Sequence, residues 1–395
     1  MTLPLAGLRV VAVELYGAGP YGTQHLADLG AEVIKVENRK TGGDISRAVG
    51  PFFLGENDSE FFQSVNRNKR SLSLDLKHPR GREVFLRLIA TADGLVDNMR
   101  GDQPEKLKLT YADLKAANPR IVCAHLSAYG RDAGRKGWPG YDYLQQAEAG
   151  WLWLTGEPGG PPARFGLSVV DFMTGTMTVM ALLAGILQAR ATGRGRDVDV
   201  SLYDVAMHQL SYPAVWYLNQ GLKTERVPRS GHPSIAPSQL FKTQDGWLFI
   251  MAQTQKFWEL LCDALGCGEL KSDPRFIDYE ARRTNRDVLT DVLDAEFGKR
   301  TTADWVRHLS GTVPCGPVLD MAQALDNPYF RERGGVVATP HPQSPGFRTV
   351  ASPIRLDEPL PARPASALGA DTDDILSGLG YSAEDIADLR RDQAI

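Results

Sequence analysis

Cysteine is scarce in this chain: four residues in 395 (Cys123, Cys262, Cys267 and Cys315), with no two arranged as Cys-x-x-Cys. That spacing supports neither a disulfide framework nor a zinc site, and it predicts a reducing, cytoplasmic setting. The 7 histidines form no metal-spaced cluster, so no metal is expected. No charge of one sign dominates: 44 Lys and Arg stand against 48 Asp and Glu, a net charge of -4 at pH 7. Without a basic block, neither nucleic acid nor an anionic membrane is expected as a partner, and any anionic ligand has to be met by locally placed cations. Long apolar runs are missing too. The most apolar segment, residues 172–187, falls short of the roughly 20 residues of a membrane helix and carries Gly175 and Gly185, which predicts a buried helix instead. The start, MTLPLAGLRVV, has no basic region before an apolar core, and the end, RRDQAI, carries no anchor signal; an untargeted protein is expected.

What the sequence does have is alternation. From Leu8 to about Leu202, short apolar runs (LRVVAVEL, AEVIKVE, RSLSLDL, GLVDNM, IVCAHLSAYG) alternate with helical ones (YGTQHLADLG, PRGREVFLRLIATAD, TYADLKAANPR). This βαβα pattern predicts an α/β fold with a parallel, doubly wound sheet. Residues 172–190 are apolar on every side, which predicts a helix packed on every side and ended by Gly193. From 212 to 237 the texture turns to Pro, Gly and Ser, as in RVPRSGHPSIAPSQ, which predicts a hinge into a smaller α+β unit. That unit contains a hairpin turning at Asp245-Gly246 and three helical stretches. The expected organisation is a large Rossmann-like domain over 1–205, completed by 340–395. A linker over 206–225 then leads to a small domain over 226–328, and a return linker and C-terminal segment occupy 329–395.

Two short stretches carry candidate chemistry. GAGPYG, at residues 17–22, is a G-x-G-x-x-G after an apolar run, with Glu37 twenty positions beyond Gly17. It is compatible with a dinucleotide pyrophosphate at a helix N-terminus and Glu37 on a ribose, and also with an ordinary strand-to-helix turn, which uses small residues in any α/β protein. No matched acid, base and carboxylate clamp for hydride transfer follows it. Asp171, in RFGLSVVDFMTG, opens the apolar helix after a glycine-rich loop. Helix amides would favour an ionised carboxylate there and the apolar residues would exclude water, as befits a nucleophile; an N-cap has the same signature.

Taken in order, PLAGLRVVAVE, AGP, LADLGAEVIKVE, NRNKRSLSLDLKHPRG, DGLVDNMR, ANPRIVCAHLSAYG, GYDYLQQAEAG and ATGRGRDVDVSLYD closely resemble the class III CoA-transferase family. That family includes formyl-CoA transferase, carnitine and succinyl-CoA-dependent transferases, and the related α-methylacyl-CoA racemases. The match runs from Pro4 to about Asp204 and continues more loosely through PSIAPSQLFKTQDGW and VPCGPV. The resemblance implies that the nucleotide is coenzyme A, with acyl-CoA and a small carboxylic acid as substrates and no tightly bound cofactor. It implies Asp171 as the nucleophile and CoA contacts at Gly17, Ala18, Arg39, Leu74, Lys77, Asn98, Met99, Arg100 and Lys106. It also implies an interlocked, ring-like homodimer in which the partner completes each site. Asn38 departs from the pattern, standing where some members have Arg.

Tyr141 bears on the choice of branch. In the racemases a His occupies its place and a second-domain carboxylate assists, where this chain has Thr254 on a loose alignment. A phenol with a pKa near 10 is a poor base for proton removal, which favours transferase over racemase and assigns Tyr141 to the acyl-CoA channel. The loop SGHPSIAPSQ lacks the polyglycine flap of the formyl-CoA branch, which predicts a roomier site for a succinyl-type dicarboxylate or a larger acid. His232 in that loop is read either as an acceptor-carboxylate ligand or as a structural residue. A racemase or epimerase is the alternative function, and an NAD-dependent oxidoreductase the distant one.

Overall fold

The computed structural model describes residues 3–395. The chain forms two units, Met1–Ala149 with Gly166–Gln209 and Tyr329–Ile395, and Gly150–Phe165 with Leu210–Pro328. The segment 150–165 thus groups with the second unit. Residues 206–225, expected as a linker, are largely helical, in Leu202–His208 and Ser211–Gln220.

The first unit is built on six parallel strands: β1 (Arg9–Val13), β2 (Glu32–Glu37), β3 (Arg70–Ser73), β4 (Gly94–Asp97), β5 (Val122–Ser127) and β6 (Arg196–Ser201). Their order is β3-β2-β1-β4-β5-β6. Strands covered on both faces need apolar residues at odd and even positions alike, which is why β1 reads as the run RVVAV. Val11 and Val13 enter the core on one face with Leu72 and Phe85, while Val10 and Ala12 enter the other with Leu26 and Leu182. Chain order reverses between β1 and β4, so a crevice opens at the carboxyl ends of those strands.

Four helices matter for the site: α1 (Ala18–Asp28), α2 (Pro79–Ala90), α3 (Asp142–Glu148) and α4 (Val169–Thr192). Pro79 at the first position of α2 suits a place whose N–H has no helical partner. Gly193, at φ 74°, ends α4. Helices α1 and α4 touch through backbone: a Cβ on Gly22 would lie 2.4 Å from Gly175 O, and one on Gly175 would lie 2.2 Å from Ala18 O. The last glycine of G-x-G-x-x-G is therefore fixed by packing. Helix α4 differs from expectation on its far side, because Met180 and Leu187 are 56% and 69% exposed. By length and composition it would suffice to cross a membrane, and half of its most apolar window is buried inside the protein. The C-terminal segment covers the open edge of β3, where Ser71 N donates to Asp371 and Ser73 N to Thr372.

The second unit holds an antiparallel sheet in the order β9-β8-β7, from β7 (Ser238–Lys242), β8 (Trp247–Met251) and β9 (Cys315–Pro317). Helices Gln255–Leu265, Arg286–Phe297 and Thr302–Leu309 close its core around Phe241, Trp258, Phe297 and Trp305. Asp245 at the β7–β8 turn accepts the Thr302 N–H, tying the hairpin to a helix start.

Candidate active site

Beneath the turn from β1 to α1 lies a set of buried charges. Glu14 accepts from Lys69 Nζ and Thr23 Oγ1, and Lys35 Nζ pairs with Asp44 at 2.8 Å while donating to Glu14 O. Burial alone would raise the Asp44 carboxyl, but Lys35 and the amides of Tyr16 and Ser46 hold it below its ordinary value. Burial brings Lys69 down to about 8 against the pull of Glu14. Glu37 belongs to the same framework: its carboxylate is bidentate to Arg47, at 2.8 Å twice, and also accepts from Ser71 Oγ. With 2% of Glu37 exposed, the dinucleotide arrangement loses its ribose ligand.

Asp171 lies in the first turn of α4, at the third helical position; Ser168, not Asp171, is the N-cap. Its backbone N–H donates to Asp142 Oδ2 at 2.9 Å, and Asp142 Oδ1 accepts from Gln146 Nε2, whose amide also reaches Leu167 O. Helix α3 thereby fixes the entry into α4. The carboxylate packs against the β1–α1 turn, where a Cβ on Gly17 would stand 3.2 Å from Asp171 Oδ2. Burial first, and then the negative charge of Asp142, push the Asp171 carboxyl up to about 7. Desolvation and like charge thus act against the ionised form that the helix amides were expected to favour. Tyr141, 64% exposed, precedes Asp142, and its ring lies 6.5 Å from that of Tyr16.

A cavity of about 540 Å³ opens at the carboxyl ends of β1, β2 and β3. Leu74, Lys77 and Met99 line it, together with Lys40 and Ile45, which sequence reasoning passed over. An adjoining cavity of about 320 Å³ shares Asn38, Lys40 and Asp75 with it and adds Arg39 and Arg390. Lys40 is the bridging cation of the two, and its Nζ stands 3.1 Å from Asp75. The NRK run at 38–40 was the available signal.

The remaining expected CoA residues divide. Gly17 and Ala18 lie beside Asp171 and Gly175 and line neither cavity. Arg100 and Lys106 converge on Asp102, at 3.7 and 2.5 Å. Asn98 turns back onto the β1–α1 turn, where its side chain bonds both the N–H and the C=O of Leu15. His232 lies in the second unit, its ring nitrogens against Tyr212 Oη at 3.2 Å and Ser234 N. Sequence reasoning missed His125, which bridges Asp97 and Asp197 across β4, β5 and β6 at 2.6 and 2.9 Å. Burial lowers its pKa, but the two carboxylates outweigh it and raise His125 to about 9.

The family described as CoA-transferase family III matches residues 5–372. A succinate–glutarate CoA-transferase of Agrobacterium fabrum is 33% identical over 371 residues, covering 91% of this chain and 92% of that protein. A succinyl-CoA:mesaconate CoA-transferase of Haloarcula hispanica is 34% identical, with 91% of each chain covered. Among solved structures, a CaiB/BaiF family protein from Brucella suis superposes with a TM-score of 0.82 at 32% identity, over 96% of this chain and all of that one.

Proposed function

The chain belongs to CoA-transferase family III, transferring CoA between carboxylic acids, and from that premise we propose a route through covalent intermediates on Asp171, with a succinyl-CoA-like donor. The Asp171 carboxylate attacks the thioester carbonyl, forming a mixed anhydride and releasing CoA thiolate. The thiolate attacks the aspartyl carbonyl, giving an aspartyl-CoA thioester and freeing the donor acid. The acceptor carboxylate displaces CoA to form a second anhydride, and the thiolate then takes the acceptor acyl group and restores Asp171. Each step exchanges one acyl bond for another, and water must be kept out throughout.

The observation that carries this reading is the condition of Asp171: buried, facing the β1–α1 turn, and held near a pKa of about 7. A carboxylate that basic is a better nucleophile than a solvated one, yet remains substantially ionised at neutral pH. The two adjoining cavities suit an extended CoA, with Leu74, Met99 and Lys77 along one and Arg39 and Lys40 toward the phosphates. Tyr141 and His232 are assigned to the acyl channel, and the enzyme to the cytoplasm with no tightly bound cofactor. The dicarboxylates named in the relatives make succinate-sized acids the first substrates to try. An interlocked homodimer belongs to the same proposal, supported by the exposed apolar side of α4.

The deciding experiment is incubation with succinyl-CoA, quenching with hydroxylamine and peptide mapping by mass spectrometry. A hydroxamate at Asp171, absent from Asp171→Asn, is the expected result. An unmodified Asp171 with several donors, alongside solvent deuterium entering the α-carbon, would replace the transferase route with a racemase one.

A further inference from the structure

We propose that Asn98 is a positioning residue whose carboxamide, together with the Asp44 carboxylate, pins the β1–α1 turn so that Tyr16 and Gly17 form a wall against the Asp171 carboxylate. This deepens the assignment of Asp171 as nucleophile and rests on it.

Leu15 lies two residues past the end of β1. Its N–H donates to Asn98 Oδ1 at 2.8 Å, and its C=O accepts from Asn98 Nδ2 at 2.6 Å. One carboxamide thus satisfies both backbone groups of a residue, as a neighbouring strand would. The next residue, Tyr16, has φ +67°, a left-handed conformation that aromatic side chains rarely adopt and that persists only where its surroundings hold it. The hold comes from the other side: Tyr16 N donates to Asp44 Oδ1 at 2.9 Å. Asp44 is itself fully buried, paired with Lys35 at 2.8 Å and accepting Ser46 N. Gly19 leaves room for the carboxamide and little more, since a Cβ there would come within 3.1 Å of Asn98 Cβ and Cγ.

The consequence falls on the residue that follows. Gly17 is brought so close to Asp171 that a Cβ would lie 3.2 Å from Oδ2. The Tyr16 ring stands 5.2 Å from Phe61 and 6.5 Å from Tyr141, adding aromatic cover beside the turn. If the turn relaxed to an ordinary conformation, this wall would move and water would gain the carboxylate. Water attacking the acyl carbon of the anhydride gives the free acid, regenerates the aspartate and leaves CoA free, so a loosened turn converts transfer into hydrolysis.

The test uses the full chain with succinyl-CoA and glutarate. For Asn98→Ala, kcat for transfer is expected to fall about 10- to 100-fold, the cost of misplacing a reacting group by an ångström or less. KM for succinyl-CoA should stay within about threefold, and free CoA released per transfer should rise about tenfold. Asn98→Asp keeps the acceptor for Leu15 N but sets a carboxylate against Leu15 O, so it should fall between wild type and Asn98→Ala; it decides the matter if circular dichroism shows Asn98→Ala unfolded. A higher KM with unchanged kcat would make Asn98 a CoA contact and overturn the proposal, as would a folded Asn98→Ala with wild-type kinetics. Transfer by Asp171→Asn would instead sink the nucleophile assignment itself.

Discussion

The Asp171 carboxyl and its neighbour set the pH behaviour expected of the enzyme. With Asp171 as the proposed nucleophile, only its ionised form would attack, so kcat/KM should fall about tenfold per pH unit below about 7 and level off above it. Asp142→Asn keeps an acceptor oxygen for Asp171 N but removes the like charge, and should shift that limb to lower pH; an unmoved limb would mean that burial alone sets it. Stability runs the other way. Because the folded pKa is raised, the unfolded chain loses its proton first as pH climbs from about 4 to about 7, and stability is lost across that window. Asp171→Asn should therefore unfold like wild type near pH 4 and be more stable above pH 7, by at most roughly 4 kcal/mol at about 1.4 kcal/mol per pH unit. Urea denaturation at pH 4 and pH 8 checks the sign. Asp171 itself is legible in the sequence as an acidic residue opening an apolar helix, but its basicity is not, since it comes first from burial, which only the fold creates, and then from repulsion by a residue 29 positions earlier on another helix. Asn98 shows the same limit: the resemblance marks its loop, while its attachment to Leu15 spans 83 residues and exists only after β1 and β4 pair.

Between elements, the decisive contact is the backbone approach of α1 and α4. A methyl group on Gly175 has no room beside Ala18 O, so Gly175→Ala has to part the two helices. Overpacking of this kind costs about 1–3 kcal/mol, and the displacement falls on the helix that carries Asp171. A lower urea midpoint together with a loss of kcat is expected; full activity at wild-type stability would show that the helices slide apart without consequence. The glycine signature thus marks an α/β turn correctly while saying nothing of what each glycine does: Gly17 faces a carboxylate, Gly19 faces Asn98 and Gly22 faces a helix. The strands between the two edges are legible because a sheet covered on both faces needs mainly apolar runs. Their spatial order is not, because each run is compatible with any neighbour of the same kind. The helix Ser211–Gln220 escapes notice for a related reason: none of its residues is buried in this chain, so no inward face betrays its period.

At the scale of the molecule, the exposed apolar residues do not fit a free surface. On α4, Met180 and Leu187 are seven positions apart, two helical turns along one side, with Ala184 exposed between them. On Ser211–Gln220, Val215 and Leu218 are 55% and 77% exposed, spaced three apart on a second helix. Isolated exposed hydrophobics are ordinary, but rows at helical spacing are the mark of faces that another surface covers. The proposed homodimer would bring a second copy of this chain to cover them. Light scattering of the purified protein should give about twice the 43.3 kDa of one chain. Met180→Glu with Leu187→Glu should shift that mass toward the monomer and lower activity in step, if the partner completes each site. A wild-type monomer with full transferase activity would refute the dimer without touching Asp171. A double variant that becomes monomeric and keeps its kcat would show that each chain carries a whole site of its own.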